Sequence, residues 1–226
     1  MQYSTNDRKA VIKTVKQHTD NLLFSAEKYK PKDEYEFALY YLNEAYKLLS
    51  SMLKYDHKSV GQYLEALKHN QNLYNELFSL NHCILQNTGM CKHFTEYLIL
   101  LAANTQTDLE NMLSSKLTVD IFSEIENKTT FHAANMFDFR GQEQTLISDV
   151  TRGVLMRDNN LNQDIFCLNT KEEYKQNLYN ICKEKLPKTG EKTTISRDSV
   201  ENLYDYFVEN SNKVITFTVT DANLEK

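Results

Sequence analysis

Hydrophobic residues in the first third of the chain recur with the period of an α-helix. A first helix is predicted from about residue 8 to Pro31, which breaks it, and Asp33 is placed to cap the next helix. A third helix is predicted over about 59–80. Three amphipathic helices with short connections indicate an antiparallel bundle. The apolar stripe of the second helix is Ala38, Tyr41, Leu42, Ala45, Leu48, Leu49 and Met52.

The pattern changes near residue 81. A loop of Asn87, Thr88 and Gly89 leads into a helix that is predicted to begin at Met90 or Cys91 and to end near 103. Its apolar stripe is Phe94, Tyr97, Leu98 and Leu101. A further helix is predicted over 107–116, with continuation toward 125.

After residue 127 the period shortens toward two, which is typical of β-strands. Strands are predicted over 129–139 and 145–151, joined at Gly141 as a hairpin, and a third over 213–221. Helices are predicted over 171–185 and 199–210, with a loop between them. The predicted fold class is α+β, with a helical bundle over 1–80 and a core with a small antiparallel sheet over 81–226.

Composition narrows the function classes. The 226 residues are 41% hydrophobic and 25% charged, which is typical of a soluble globular protein. No apolar run is long enough for a membrane span, and the N-terminus has no apolar signal segment. A net charge of −5 argues against a nucleic-acid partner. Four cysteines without a C-x-x-C pair predict no zinc site, no cofactor, and free thiols in a reducing, cytoplasmic compartment.

Cys91 is the cysteine with the most reactive predicted surroundings. It lies at a predicted helix N-terminus, where unpaired N–H groups and the helix dipole favour a negative charge and so a nucleophilic thiolate. Gly89 is expected to turn the loop tightly and to leave space for a substrate. A partly buried cysteine that happens to begin a helix is the alternative.

His132 and Asp149 are the candidate partners of that thiol. His132 lies in the first strand of the predicted hairpin and Asp149 ends the second strand, so antiparallel pairing is expected to bring them within hydrogen-bonding reach. The aspartate would then fix the imidazole tautomer and stabilise the imidazolium. A histidine on a solvated strand face is the alternative. Asp138, a rival aspartate, lies too far along the same strand to reach His132.

The order of Cys91 at a helix start, His132 on a strand and Asp149 on the next strand resembles the papain-like and transglutaminase-like Cys–His–Asp cysteine enzymes. The segment around His132, Ala133 and Asn135, with Asp149 and Thr151, resembles their hairpin. The resemblance covers about 65 residues, from 86 to 151. It departs at Val150, where many relatives have proline, and no tryptophan follows Cys91 or His132.

The resemblance implies an acyl-transfer enzyme, namely a cysteine protease, deamidase or transglutaminase, with Cys91, His132 and Asp149 as catalytic residues. Gln86 resembles the upstream glutamine that stabilises the oxyanion, and Asn87 competes with it for that role. Many relatives are bacterial effectors that reach a host cell without a signal peptide, so a host protein is an expected substrate. A non-catalytic helical protein-interaction module is the alternative, because the first 80 residues support it.

Overall fold

The computed structural model describes residues 5–56, 80–103, 105, 112–123, 128–177, 180 and 215–219. The architecture is α+β, mainly helical with small sheets. The chain divides into two compact units: unit 1 is Met1–Asn111 with Val150–Cys167, and unit 2 is Met112–Asp149 with Leu168–Lys226. The predicted boundary near residue 80 adjoins 57–79, which lie outside the described residues, and it stays a prediction.

Unit 1 is built from helices and one two-stranded sheet. Its first two helices confirm the sequence pattern, because α1 ends just before Pro31 and the Asp33 carboxylate accepts a hydrogen bond from the Glu36 amide at 2.8 Å. Its elements are α1 (Thr5–Tyr29), α2 (Glu34–Met52), β1 (Lys54–Tyr55), α3 (Leu80–Gln86), β2 (Thr88–Gly89), α4 (Cys91–Ala103), α5 (Val150–Asp158) and a 3-10 helix (Gln163–Phe166). β1 and β2 pair in parallel.

The core of unit 1 lies where α2 and α4 pack. The predicted stripe of α4 is confirmed, since all four of its residues are fully buried. The Tyr41 hydroxyl of α2 donates to the Leu101 carbonyl of α4 at 2.9 Å, so the polar end of this buried ring is satisfied. On α2 the buried apolar residues are Ala38, Tyr41, Leu42, Ala45, Tyr46 and Leu49, whereas the predicted Leu48 and Met52 are half-buried. The predicted third helix falls almost wholly on 57–79, outside the described residues.

Helix α5 has no counterpart in the sequence prediction, which extended a strand to residue 151. Val150 and Thr151 instead form its first turn, so that part of the strand prediction is wrong. The helix packs on α2: the Arg157 guanidinium donates to the Ser50, Ser51 and Leu53 carbonyls at 2.5, 2.7 and 2.8 Å. These carbonyls end α2, so Arg157 supplies the donors that they lack within the helix.

Unit 2 contains a five-stranded sheet of β3 (Met112–Ser123), β4 (Lys128–Phe139), β5 (Leu146–Ser148), β6 (Asn169–Thr170) and β7 (Ile215–Val219). The strand order is β6-β5-β4-β3-β7, in which β3 to β6 pair antiparallel and β7 joins β3 in parallel. The predicted strands over 129–139 and 213–221 are confirmed by β4 and β7. The loop and the helix predicted over 186–210 lie outside the described residues.

The predicted helix over 107–125 is wrong from residue 112 onward, because Met112–Ser123 is β3. Leu117, Val119 and Ile121 alternate with polar or aromatic neighbours, which is the period of a strand. The segment pairs with β4 along its whole length, from Met112 opposite Phe139 to Ser123 opposite Lys128. This continuous ladder satisfies the backbone of both strands and outweighs any local helical preference.

Candidate active site

The predicted contact between His132 and Asp149 is present. His132 Nε2 and Asp149 Oδ2 are 2.7 Å apart, the histidine is 8% exposed and the aspartate is fully buried. The alternative of a solvated histidine is therefore wrong. A short bond between buried groups is sheltered from water, so the carboxylate can hold the imidazole in one orientation.

The strand register explains how the two side chains meet. β4 and β5 pair with Asn135 opposite Ser148 and Met136 opposite Ile147. One further step along this register would set Asp149 opposite Ala134, on the face of β4 that carries His132. Diagonal neighbours on one face of a sheet lie within reach of longer side chains. The small Ala134 side chain between them leaves the imidazole and the carboxylate room to meet.

A third residue, Tyr174, joins this pair, and the sequence prediction missed it. Its hydroxyl donates to the same Asp149 Oδ2 at 2.7 Å, and its ring is fully buried. Tyr174 lies on a helix, α6, over 171–177. The predicted helix over 171–185 is therefore present in its described first part, and the rest, residue 180 apart, lies outside the described residues.

The start of α6 is fixed by a reciprocal capping box, which places Tyr174. The Glu173 amide donates to Thr170 Oγ1 at 3.3 Å, and the Thr170 amide donates to a Glu173 carboxylate oxygen at 2.8 Å. The Asn177 side-chain nitrogen Nδ2 also donates to Asn169 Oδ1 at 2.7 Å. The sequence Thr-Lys-Glu-Glu over 170–173 is a signal for the start of a helix. It could have predicted that Tyr174, the next residue, lies in the first turns of that helix.

Cys91 lies in unit 1 and begins α4, as predicted. Its side chain is partly exposed and forms no disulfide. The Cys91 carbonyl accepts a bond from Thr95 Oγ1 at 2.9 Å, one turn later in the helix. A thiol at the first residue of a 13-residue helix lies beside amides that lack an intrahelical acceptor, and these favour the thiolate.

The loop before Cys91 is ordered by His93. The Met90 amide donates to His93 Nδ1 at 3.1 Å, so this nitrogen carries a lone pair and the buried imidazole is neutral. A Cβ atom on Gly89 would lie 3.0 Å from His93 Nδ1 and 3.1 Å from the Cys83 sulfur. The expectation that Gly89 leaves space for a substrate is therefore wrong: its missing side chain allows close packing of His93 and Cys83.

Cys83 and Cys167 differ from Cys91 in their surroundings. Both are buried, and burial raises the pKa of each thiol to about 12. The Cys167 thiol donates to Asn43 Oδ1 at 2.9 Å. Their predicted role in packing agrees with this burial, and Cys182 lies outside the described residues.

The remaining candidates have separate positions. Gln86 is exposed at the end of α3, and the exposed Asn87 next to it has a positive φ of 52°. Asp138 accepts a bond from Thr145 Oγ1 at 2.5 Å, and burial raises the pKa of its carboxyl against the opposing effect of that bond. Asp138 therefore bonds across the hairpin turn to Thr145, and Asp149 is the aspartate that contacts His132.

No family model matches the chain, and no curated protein is significantly similar to it. The resemblance to Cys–His–Asp enzymes thus depends on the quoted residues alone.

Within the described residues, no group of three or more His, Cys, Asp or Glu side chains is arranged to hold a metal ion. Among the same residues, no helix combines the length and the apolar character that crossing a membrane requires.

Proposed function

We propose that the protein is a thiol-dependent acyl-transfer enzyme that acts on a protein substrate through Cys91, His132 and Asp149. The observation that carries this proposal is the buried 2.7 Å bond between His132 and Asp149. A histidine held by a buried carboxylate is the arrangement that raises imidazole basicity and orients it for proton transfer. A histidine and an aspartate that met by chance at a strand end would more commonly be exposed to solvent.

The proposed reaction begins with proton transfer from the Cys91 thiol to His132. With Nε2 bonded to Asp149, the proton-accepting nitrogen is Nδ1. The Cys91 sulfur then adds to a substrate carbonyl carbon and gives a tetrahedral oxyanion, which the Cys91 amide would help to stabilise, with Gln86 as a candidate second donor. Collapse breaks the carbon–nitrogen bond, His132 protonates the departing amine, and a thioester remains.

The second half of the reaction decides the product. His132 removes a proton from water or from an amine, and that nucleophile attacks the thioester and releases the Cys91 thiol. Attack by water on the thioester completes protease activity when the acyl group came from a backbone amide, and deamidase activity when it came from a side-chain amide. Attack by an amine on the thioester completes transglutaminase activity. The same three residues serve each case, so the substrate groove determines which reaction occurs.

The contrast among the cysteines supports Cys91 as the nucleophile. Cys91 is partly exposed at a helix N-terminus, whereas burial raises the pKa values of Cys83 and Cys167 to about 12. A thiol with a pKa that high is almost wholly protonated at neutral pH and is therefore a poor nucleophile. The proposed site of action, the cytoplasm or a host cell reached as an effector, is supported by the resemblance and by the thiols.

Alkylation with iodoacetamide between pH 5 and 9, read by peptide mass spectrometry, tests the proposal. Cys91 is expected to react at pH 6 to 7 well before Cys83 and Cys167, and His132→Gln is expected to shift its reaction to higher pH. Asp149→Asn should act like His132→Gln, and Asp138→Asn is the matched control that should leave the profile unchanged. Equal labelling of Cys91 in the wild type and in His132→Gln would refute a thiol activated by this histidine.

A non-catalytic protein-interaction role is the second candidate, favoured by exposed apolar side chains on α1. Ile12 and Phe24 are 67% and 69% exposed. An interaction module would keep partner binding in Cys91→Ala and lose it in a double Ile12→Ser, Phe24→Ser variant. If the protein is the proposed enzyme, turnover of substrate should be lost in Cys91→Ala and kept in the double Ile12→Ser, Phe24→Ser variant.

A further inference from the structure

Asp149 has the least favourable environment for a charge among the residues of the proposed site. It is 0% exposed, and removal of a carboxylate from water favours its neutral form. A protonated Asp149 would donate a hydrogen bond and could not stabilise an imidazolium. The proposed function therefore requires groups that favour the ionised carboxylate.

Two donors converge on one oxygen of this carboxylate. His132 Nε2 and the Tyr174 hydroxyl each lie 2.7 Å from Oδ2. His132 on β4 and Tyr174 on α6 are the titratable groups that these contacts place against Asp149 in unit 2. Hydrogen bonds donated to the charged form of a carboxyl group favour that form, and bonds to an ionised group are stronger than bonds between neutral groups.

We infer that Tyr174 is a positioning residue whose hydroxyl keeps Asp149 ionised and directed at His132, so that His132 carries its proton on Nε2. The tyrosine does not contact the reacting atoms in this proposal. It acts through Asp149, and the capping box at Thr170 and Glu173 keeps its ring in place. The inference deepens the proposed function, and its catalytic consequence depends on that function.

The structure offers a matched control for the loss of a buried tyrosine hydroxyl. Tyr41 is also fully buried, and its hydroxyl donates to the Leu101 carbonyl at 2.9 Å within unit 1. Tyr41→Phe removes the same group from a comparable environment, but that hydroxyl serves a backbone carbonyl. A general loss of packing or stability should therefore be similar in Tyr41→Phe and Tyr174→Phe.

The experiment is an NMR titration of full-length protein with labelled aspartate carboxyl carbons and histidine nitrogens. In the wild type, Asp149 should stay ionised down to low pH and His132 should show the signature of the Nε2–H tautomer. In Tyr174→Phe, the pKa of Asp149 is expected to rise by about 1–2 units, the equivalent of one charged hydrogen bond. Tyr41→Phe is expected to leave both signals unchanged. An unchanged Asp149 titration in Tyr174→Phe, or an Nδ1–H tautomer in the wild type, would overturn the inference.

A second variant covers the case in which Tyr174→Phe does not fold. Site-specific 3-fluorotyrosine at 174 keeps the ring and makes the phenol a stronger donor, so the pKa of Asp149 should fall. Absence of any shift would also overturn the inference. These signals do not involve Cys91, so they stay informative if the proposed function fails. Failure of the proposed function would appear separately: the rate of Cys91 alkylation would be the same in the wild type and in His132→Gln, while the NMR titration of Asp149 would give the expected shifts.

Discussion

Gly153 of α5 lies so close to Tyr46 of α2 that a side chain at 153 has no room. A Cβ atom there would overlap the Tyr46 hydroxyl oxygen and would lie 2.8 Å from the ring carbon that bears it. The tyrosine cannot easily move aside, because its ring is fully buried and its hydroxyl donates to the Gln163 carbonyl. The two helices approach each other at this distance only because residue 153 is glycine.

Gly153→Ala is therefore expected to destabilise the protein. In an exposed helix interior the same change stabilises by about 1 kcal/mol, since alanine is the better helix former. Here we expect a loss of about 1–3 kcal/mol, which is the usual cost of forcing extra atoms into a packed core. Urea denaturation followed by circular dichroism measures it. A gain in the free energy of unfolding would show that the contact between Gly153 and Tyr46 leaves room for a methyl group.

Arg157 gives a second stability prediction. Its guanidinium serves three carbonyls at the end of α2, and Arg157→Ala leaves them without these donors, so we expect a loss of about 2–4 kcal/mol. Arg157→Lys should recover only part of it, because an ammonium lacks the planar fork of donors. Asp158→Asn, which changes only an exposed partner of Arg157, is the control and should be near neutral. Equal denaturation midpoints for Arg157→Ala and Asp158→Asn would contradict the capping role.

The burial of His18 predicts that the stability of the folded protein depends on pH. Burial lowers the pKa of His18 below its ordinary value of 6.5, so the unfolded chain binds a proton more readily than the folded protein. The contribution of the neutral His18 to the free energy of unfolding is fully present above pH 6.5. It is lost as the pH falls toward the lower pKa that His18 has in the folded protein. His18→Gln removes this titration but keeps a group that can bond the Tyr97 hydroxyl, now 2.8 Å from His18 Nδ1. The midpoint of thermal denaturation should fall less between pH 7.5 and pH 5.0 in His18→Gln than in the wild type. An equal fall in both proteins would assign the effect to other groups.

His93 connects the order of the loop to the reactivity of Cys91. Removing the Nδ1 acceptor of the Met90 amide should fray the first turn of α4, at a cost of about 1 kcal/mol for the lost cap. We expect His93→Ala to slow alkylation of Cys91 at pH 6 to 7, since the aligned amides that favour the thiolate are less ordered. His93→Gln supplies another side-chain acceptor that is typical of this position in a capping box, and it should be closer to the wild type. Faster alkylation in His93→Ala would mean that access, rather than helix order, limits Cys91.

The sequence predicted well those elements in which local pattern and tertiary packing agree. Asp33 caps α2 because a carboxylate before an apolar stripe is a strong local signal, and Cys91 begins α4 after the loop at Asn87 for similar reasons. The His132–Asp149 contact followed from a hairpin whose turn is marked by Gly141, which has a φ of +84°. Each of these depends on residues close together in the chain.

The errors arose where distant partners decide the structure. Residues 112–123 form β3 because β4 supplies a full antiparallel ladder, and the helical period of the preceding segment carries no information about that distant partner. Helix α5 was hidden because Val150 and Thr151 are β-branched residues that follow a strand. Tyr174 was missed as a partner of Asp149, since 25 residues separate them and their contact depends on the pairing of β5 with β6.

The path of the chain between the two units limits how this protein can be divided into fragments. The chain passes from one unit to the other after residues 111, 149 and 167, so no single cut separates them. A fragment that ends at 111 lacks Arg157 and Gln163, and it leaves the end of α2 and the Tyr46 hydroxyl without their partners. A fragment that begins at 112 carries Asp149 but also a stretch of unit 1 that has lost the helices it packs on. Neither compact unit can therefore be isolated by cutting the chain at one position.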